Sequence, residues 1–425
     1  MPPPSAPKGT HDLLPDASTA WRWLHRAHAE VAELHGYRLI DTPVFEHTEL
    51  FERGVGTGTD VVEKEMYTFS DRGGRSLTLR PEGTVGVLRA VLQAKLLDEG
   101  RPVRTHYAGP MFRAERPQKG RFRQFHQVGV ECIGERSPEL DVEVVEMGWR
   151  FLQSLAITGV VLQVNSLGNR DDRRRYREAL LGYYRPLVDR LCDDCRRRLE
   201  INPLRVLDCK RDAALRDAAP LITDSLSEAS AAYVAAVRAG LEAAGVPFEL
   251  NPRLVRGLDY YAHTAFEYWH SSLQGAQNSL GGGGRYDGLA EAIGFPPAPG
   301  IGYAFGVERL LLIAGEQGTA PAPEPACEVV VCSVDPGQAP VAADLARALR
   351  AAGVRTVLDT SDRKLDRKLR NADRLGARVC VIVGEDEERE RAAMVRDLGR
   401  RTQERHAADR LVDAVTAALA AGSAA

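Results

Sequence analysis

The chain has 425 residues, 44% hydrophobic and 27% charged, a globular balance that excludes wholesale disorder and, at roughly 100–200 residues per domain, predicts two to four domains. Its 56 basic and 59 acidic residues nearly cancel, so any nucleic-acid contact must come from local patches rather than bulk charge. No stretch approaches about 18 consecutive apolar residues, which excludes a membrane-spanning helix, and the start Met1-Pro-Pro-Pro-Ser-Ala-Pro-Lys carries no apolar leader, so a cytoplasmic protein is expected.

From the N-terminus, Trp21, Leu24, His28, Val31 and His35 recur at steps of three and four before Gly36. That spacing predicts a helix over 18–35 with Ser18 as N-cap. Tyr37-Arg-Leu-Ile-Asp-Thr-Pro-Val-Phe-Glu alternates weakly and predicts a strand broken at Pro43. Segments 76–80 and 125–133 alternate as half-buried antiparallel strands do. An Arg-rich region follows over about 170–245, where Tyr176, Leu180, Tyr184, Leu187 and Leu191, then Val234, Val237 and Leu241, fall at helical spacing. Strands are expected to resume in 254–261 and 264–269, so 170–245 reads as a helical insertion in a sheet domain.

Gly318-Thr-Ala-Pro-Ala-Pro-Glu-Pro-Ala reads as a semi-rigid linker. Beyond it, the strand 328–333, a helix with Val341, Leu345 and Leu349, the strand 354–358, a helix with Leu365, Leu369, Ala372 and Leu375, and the strand 379–384 alternate as βαβαβ. This pattern predicts a small parallel α/β domain. The expected division is an α+β domain over 1–325 and an α/β domain over 326–425.

Several segments could carry chemistry. Phe112-Arg-Ala-Glu-Arg-Pro-Gln-Lys-Gly-Arg-Phe-Arg reads as a strand entering a basic loop able to present several guanidinium forks to phosphate. A solvated charged hairpin remains open, but Gln124, His126, Gln127 and Glu131 continue into the next strand, an expensive way to build a core face. Gly281-Gly-Gly-Gly-Arg-Tyr-Asp-Gly permits close backbone approach, yet is neither a P-loop nor a dinucleotide fingerprint, and a plain turn fits as well. Arg256 and Asp259, taken singly, read as a structural ion pair. Tyr303 to Leu312 reads as a strand entering a helix with Arg309 in its first turns, a place suited to anionic phosphate. Cys192 and Cys195 form a Cys-x-x-Cys with Cys209 14 residues on, but no second pair or nearby His supplies a fourth ligand. The odd total of 7 cysteines does not suggest a disulfide scaffold.

In order, these segments resemble class II histidyl-tRNA synthetases of bacterial type along nearly the whole chain. Residues 35–46 are similar to class II motif 1, 112–131 to motif 2 and 302–310 to motif 3. Leu79-Arg-Pro-Glu-Gly-Thr, Arg256-Gly-Leu-Asp-Tyr-Tyr and Gly283-Gly-Arg-Tyr-Asp-Gly resemble the histidine-specific peptides. The resemblance implies an antiparallel sheet flanked by helices, a helical insertion and a C-terminal anticodon-binding domain. It also implies ATP-dependent formation of histidyl-adenylate and transfer of histidine to the 3'-terminal adenosine of its tRNA by a homodimer.

By the same resemblance, Arg113 holds the α-phosphate and the substrate carboxylate, and Arg256 approaches the α-phosphate from the other side. Arg309 and Arg121 take the β/γ end, Glu115 accepts from the adenine amino group, and Phe125 stacks on adenine with Arg309 opposite. Glu82, Gly83, Thr84 and Gln127 belong to the histidine site around the α-ammonium. Glu131 and Tyr261, with Tyr260 beside them, take the two imidazole nitrogens, a pairing that rejects side chains lacking them. Arg116 and Gln118 resemble the readers of the tRNA acceptor end, and the basic stretch 363–374 is a candidate phosphate track. Mg²⁺ is expected with ATP, and no protein-bound structural metal is expected. The rivals are a catalytically silent regulatory subunit of histidine biosynthesis, an RNA-binding module without chemistry, and a class IIa synthetase for another amino acid.

Overall fold

In the computed structural model, which describes residues 3–56, 58–209, 211–273 and 278–421, an eight-stranded sheet organises one unit, Met1–Ala322, and a five-stranded sheet the other, Pro323–Ala425. The strands of the first unit are β1 (Arg38–Leu39), β2 (Phe45–His47), β3 (Tyr67–Ser70), β4 (Ser76–Leu79), β5 (Val103–Phe112), β6 (Gln124–Ile133), β7 (Val160–Ser166), β8 (Glu249–Leu250), β9 (Ala262–His270), β10 (Ser279–Arg285) and β11 (Gly300–Gly306). The large sheet runs β1-β5-β6-β11-β10-β9-β7-β8. It is antiparallel except at its edges, where short β1 and β8 pair in parallel with β5 and β7. Strands β2, β4 and β3 form a separate small sheet, so the chain on either side of Pro43 serves two sheets.

Side chains alternate across a strand. In β6 this sends Val128, Val130 and Cys132 to one face, where they join Ile301, Tyr303 and Phe305 of β11 and Phe266 and Tyr268 of β9 in the main core. Helices Pro15–Leu34, Pro138–Ser154 and Val307–Gln317 cover that face through Leu24, Ala32, Val144, Phe151, Leu310 and Ile313. The opposite face of β6 carries Phe125, Gln127, Gly129 and Glu131. Directly across from Gln127 and Glu131 on β11 stand Gly306 and Gly302. A polar floor thus lies on one side of a sheet whose other side is sealed by hydrocarbon.

Several expectations change. The first helix begins at Pro15, whose fixed φ suits the first turn, and Ser18 Oγ donates back to the Pro15 carbonyl at 2.6 Å rather than capping. Segment 254–261 is a loop, not a strand. Its carbonyls are taken by side chains: Asn165 Nδ2 reaches Leu254 at 2.9 Å, Arg205 reaches Arg256 at 3.0 Å, and Arg173 reaches Tyr261 at 2.8 Å. The backbone there is satisfied without a ladder. Gly281–Gly284 is a central strand rather than a turn. A Cβ on Gly283 would lie 1.9 Å from the Gly302 carbonyl oxygen, so the glycines permit a close strand approach that side chains would block.

The insertion is also shorter than its composition suggests. Its own core runs from Tyr176 through Leu199 and Val206 to Ile222. The helix Glu228–Ala243, counted with it from the sequence, instead sends Val237 and Leu241 into the main core.

In the second unit, β12 (Val329–Ser333), β13 (Thr356–Asp359), β14 (Val379–Val383), β15 (Ala392–Asp397) and β16 (Thr402–Ala407) run in the order β13-β12-β14-β15-β16. The first three are parallel, as the βαβαβ pattern predicts, but β15 and β16 add antiparallel strands. Edge strand β16, Thr-Gln-Glu-Arg-His-Ala, has no buried face and so no alternation to read. Within the basic stretch, Lys368 turns inward and donates to the Ser333 carbonyl at 3.0 Å, whereas Lys364, Arg367, Arg370 and Arg374 remain exposed.

Candidate active site

The polar floor opens into a cavity of about 470 Å³, within the range of small-molecule sites. Of the residues expected in the histidine and ATP sites, Glu82, Thr84, Arg113, Glu115, Arg121, Phe125, Gln127, Arg256, Tyr260, Tyr261 and Arg309 line it. Glu131 lies beneath, 1% exposed. Arg116 and Gln118 sit exposed in the loop between β5 and β6, where the Gln118 and Arg121 backbones pair.

One end is built from carboxylates and tyrosines. Glu82 accepts the N–H groups of Thr84 and Val85, each at 2.8 Å, and so anchors the start of the helix Thr84–Gln93. The Tyr260 hydroxyl donates to the same carboxylate at 3.3 Å. Glu131 accepts Thr84 Oγ1 at 2.7 Å on one oxygen and the Tyr286 hydroxyl at 2.6 Å on the other. Burial pushes the Glu131 carboxyl up to about 8, against the opposing pull of those hydroxyls. Burial likewise raises Glu82, despite its backbone N–H partners. Gln127 Oε1 is buried without a hydrogen-bond partner among the described residues, a polar group that a polar ligand in the cavity would satisfy. Gly83 contributes room rather than a contact, since a Cβ there would meet the Tyr107 ring at 2.6 Å.

The other end is cationic. Arg113 leaves the end of β5, donates to the Pro81 carbonyl at 2.9 Å and lies over the Phe125 ring at 5.3 Å, on a ring face expected for adenine. Arg309, in the first turn of the helix after β11, donates to the carbonyls of Gly120 at 3.2 Å and Ser279 at 2.7 Å. Burial, reinforced by Arg121 and Arg113, lowers Arg309 to about 10. Burial lowers Arg113 and Arg121 as well. A desolvated cluster of like charges favours a polyanion among its members. Arg121 is ion-paired with Glu115, so for Arg121 to reach a phosphate and Glu115 an adenine amine, this pair must separate.

Arg256 does not pair with Asp259. It pairs with Glu267 of β9 and lies over the Tyr261 ring at 5.5 Å. Burial works against its charge, but the Glu267 carboxylate and the Tyr261 and Tyr260 hydroxyls together outweigh burial and hold the charged form. Asp259 turns away and accepts Asn202 Nδ2 at 3.0 Å. The reason is topological: loop 254–261 faces the insertion on one side and the sheet on the other.

Sequence reasoning missed Tyr107, Tyr286 and Glu267. Tyr286 stands inside the quoted Gly-Arg-Tyr-Asp peptide, and Glu267 is the acid that interrupts the apolar run 264–269; Tyr107 had no signal beyond strand parity. Arg285 of the same peptide serves the framework. Fully buried, it pairs with Asp141 at 2.6 Å and Asp287 at 3.0 Å.

A glycine-floored antiparallel sheet, with arginines entering its pocket from the β5–β6 loop and from the helix after β11, is the catalytic architecture of class II aminoacyl-tRNA synthetases. The sequence pattern of the family Histidyl-tRNA synthetase matches residues 9–310, and that of an Anticodon binding domain matches 328–418. The histidine–tRNA ligase of Bacillus velezensis is 45% identical over 415 residues, 97% of this chain and 98% of its own. That of Moorella thermoacetica is 48% identical over 94% of this chain and 95% of its own. The crystal structure of apo Staphylococcus aureus histidyl-tRNA synthetase superposes with a TM-score of 0.82 at 37% identity, covering 97% of this chain and 99% of that one. The chain belongs to the histidyl-tRNA synthetase family. These likenesses span both units, which weighs against a regulatory subunit lacking the second.

Proposed function

We propose that the pocket activates L-histidine with MgATP and passes it to the 3'-terminal adenosine of histidine tRNA. The histidine carboxylate attacks the α-phosphorus, an O–P bond forms, and the bond to pyrophosphate breaks. In the second step a ribose hydroxyl attacks the adenylate carbonyl and AMP leaves. Negative charge grows at the α-phosphate in the first step, so the contribution of the side chains is positioning and charge stabilisation.

In this reading Arg113 and Arg256 hold the α-phosphate from two sides, Arg113 also taking the histidine carboxylate. Arg309 and Arg121 bind the β/γ end, while Glu115 and Phe125 receive adenine. Glu82, Thr84 and Gln127 surround the ammonium group. Glu131 and Tyr261, with Tyr260 beside them, select imidazole, and Arg116 and Gln118 meet the tRNA acceptor end. The second unit binds the anticodon arm. The observation that carries the reading is the joining, in one cavity, of half-buried arginines at one end and a Glu131-centred hydroxyl network at the other.

Two further inferences concern assembly and compartment. Val44, Phe45 and Phe69 are exposed, and the rings of Phe45 and Phe69 meet at 6.3 Å. An exposed apolar pair on the small sheet that the end of motif 1 enters supports a homodimer through that face. No helix of the described residues is long and apolar enough to cross a membrane, and the compartment inferred is the cytoplasm, where tRNA is charged.

The test is ATP–pyrophosphate exchange with each amino acid in turn, on wild type and Arg256→Ala. Exchange should require histidine and fall roughly 10²–10³-fold in the variant, as when one transition-state donor is lost. Exchange with another amino acid would overturn the assignment, and an unaffected variant would overturn the role given to Arg256.

A further inference from the structure

The three clustered cysteines belong to none of the roles above. Cys192 precedes the helix Asp193–Ile201 and Cys195 lies in its first turn; Cys209 follows the 3-10 turn Pro203–Asp208; Asp212 precedes the helix Ala213–Asp217. The chain thus presents Cys192-x-x-Cys195 and Cys209-x-x-Asp212, two ligand pairs at the spacing of structural zinc sites, with a carboxylate in the fourth position. A search for Cys and His alone passes over Asp212. One ligand atom from each of the four residues falls within 4.8 Å of the others.

We infer that Cys192, Cys195, Cys209 and Asp212 form a structural Zn²⁺ site that fastens the insertion beneath the loop carrying Arg256. Cys192 Sγ and Cys209 Sγ are 3.7 Å apart. Two sulfurs bound to one zinc at about 2.3 Å and a tetrahedral angle are separated by about 3.8 Å, whereas a disulfide needs about 2.05 Å. Distance alone is not the criterion. Cys332 and Cys380 lie 3.8 Å apart in the second unit, but within an apolar cluster and outside any such ligand group among the described residues. In the insertion, Cys195, Cys209 and Asp212 are each below a tenth exposed. Asp212 is held in place by the Cys192 N–H, at 3.1 and 3.3 Å to its two oxygens. Thiolate-rich tetrahedral sites select Zn²⁺ over oxygen-seeking cations.

The site would do more than staple a small core. The segment between the two ligand pairs holds Asn202, which donates to Asp259 at 3.0 Å, and Arg205, which donates to the Arg256 carbonyl at 3.0 Å. Closing the segment on a metal fixes both donors, and so fixes the loop that aims Arg256. This positioning role, unlike the metal site itself, rests on the reading of Arg256 given under Proposed function.

The experiment is elemental analysis of the full chain, tag removed and reduced, from zinc-supplemented culture. One zinc per chain is expected, absent from Cys209→Ser and Asp212→Ala and retained by Asp212→Cys. Since a cysteine variant can fail to fold, Co²⁺ is also loaded into wild type, where the visible d–d bands of tetrahedral thiolate ligation are expected. A folded, exchange-active wild type that takes up neither metal, or that carries a Cys192–Cys209 disulfide, overturns the site. For the positioning role, stripping zinc should lower the exchange kcat roughly ten- to hundredfold with restoration on re-addition. Arg256→Ala should lose exchange while keeping its zinc. Full exchange by stripped enzyme overturns the positioning role, and zinc-loaded Arg256→Ala with normal exchange overturns only the reading of Arg256.

Discussion

The Tyr286 hydroxyl donates to Glu131 Oε2 at 2.6 Å, leaving that carboxylate held on both oxygens once Thr84 takes the other at 2.7 Å. Burial raises its pKa from 4.5 to about 8. A folded value above the unfolded one means that the native state retains a proton the unfolded chain has lost. The associated stability is complete below about 4.5 and is lost as pH rises through about 8. Glu131→Gln should therefore flatten this part of the pH profile of thermal unfolding. It should also raise the KM for histidine roughly ten- to hundredfold, the loss of one hydrogen bond to a charged or polar partner. Parallel unfolding profiles for variant and wild type would mean that Glu131 does not titrate in this window.

Gly302 lies under that carboxylate. A Cβ there would fall 1.9 Å from Glu131 Oε2 and 2.3 Å from the Val130 carbonyl oxygen, of which the second is backbone and cannot move aside. Gly302→Ala should cost about 1–3 kcal/mol of stability, as overpacking does, and weaken histidine binding by displacing Glu131. Calorimetry and the histidine KM measure the two effects; a variant with wild-type values for both would contradict the close approach.

Phe45 and Phe69, 47% and 44% exposed, lie on the small sheet that the end of motif 1 enters. If this face joins two chains, Phe45→Asp should bury a charge against the partner and shift the species seen in sedimentation from dimer to monomer. A variant that sediments as wild type would place the interface elsewhere.

On the second unit, Arg367 and Arg370 project from the helix Leu365–Arg374. Reversing both charges should raise the KM for tRNA and reduce its salt dependence, each phosphate contact contributing about one unit of slope. ATP–pyrophosphate exchange, which needs no tRNA, should be unchanged. A loss of exchange would reveal a folding defect instead.

Residue order and local chemistry were sufficient for the family, for the first unit's mixed helices and strands, and for eleven of the residues that line the pocket. Motif peptides are contiguous, and alternation in β6 already separates Gln127 and Glu131 from Val128 and Val130. The parallel half of the second sheet was legible for the same reason: β12 and β14 are buried apolar runs between helices. Which groups meet across the chain was decided only by tertiary structure. Arg256 finds Glu267 rather than the nearer Asp259 because loop 254–261 lies between the sheet and the insertion, and Asn202 takes the Asp259 carboxylate. Tyr286 reaches Glu131 because β10 and β6 flank β11. The helix Glu228–Ala243 joins the main core because its apolar stripe meets the helix Pro138–Ser154. Asp212 becomes a candidate ligand only where the insertion folds it beside three sulfurs. Local sequence sets periodicity and chemistry over a few residues, whereas pairing between distant residues depends on strand order and on which backbone groups remain to be satisfied.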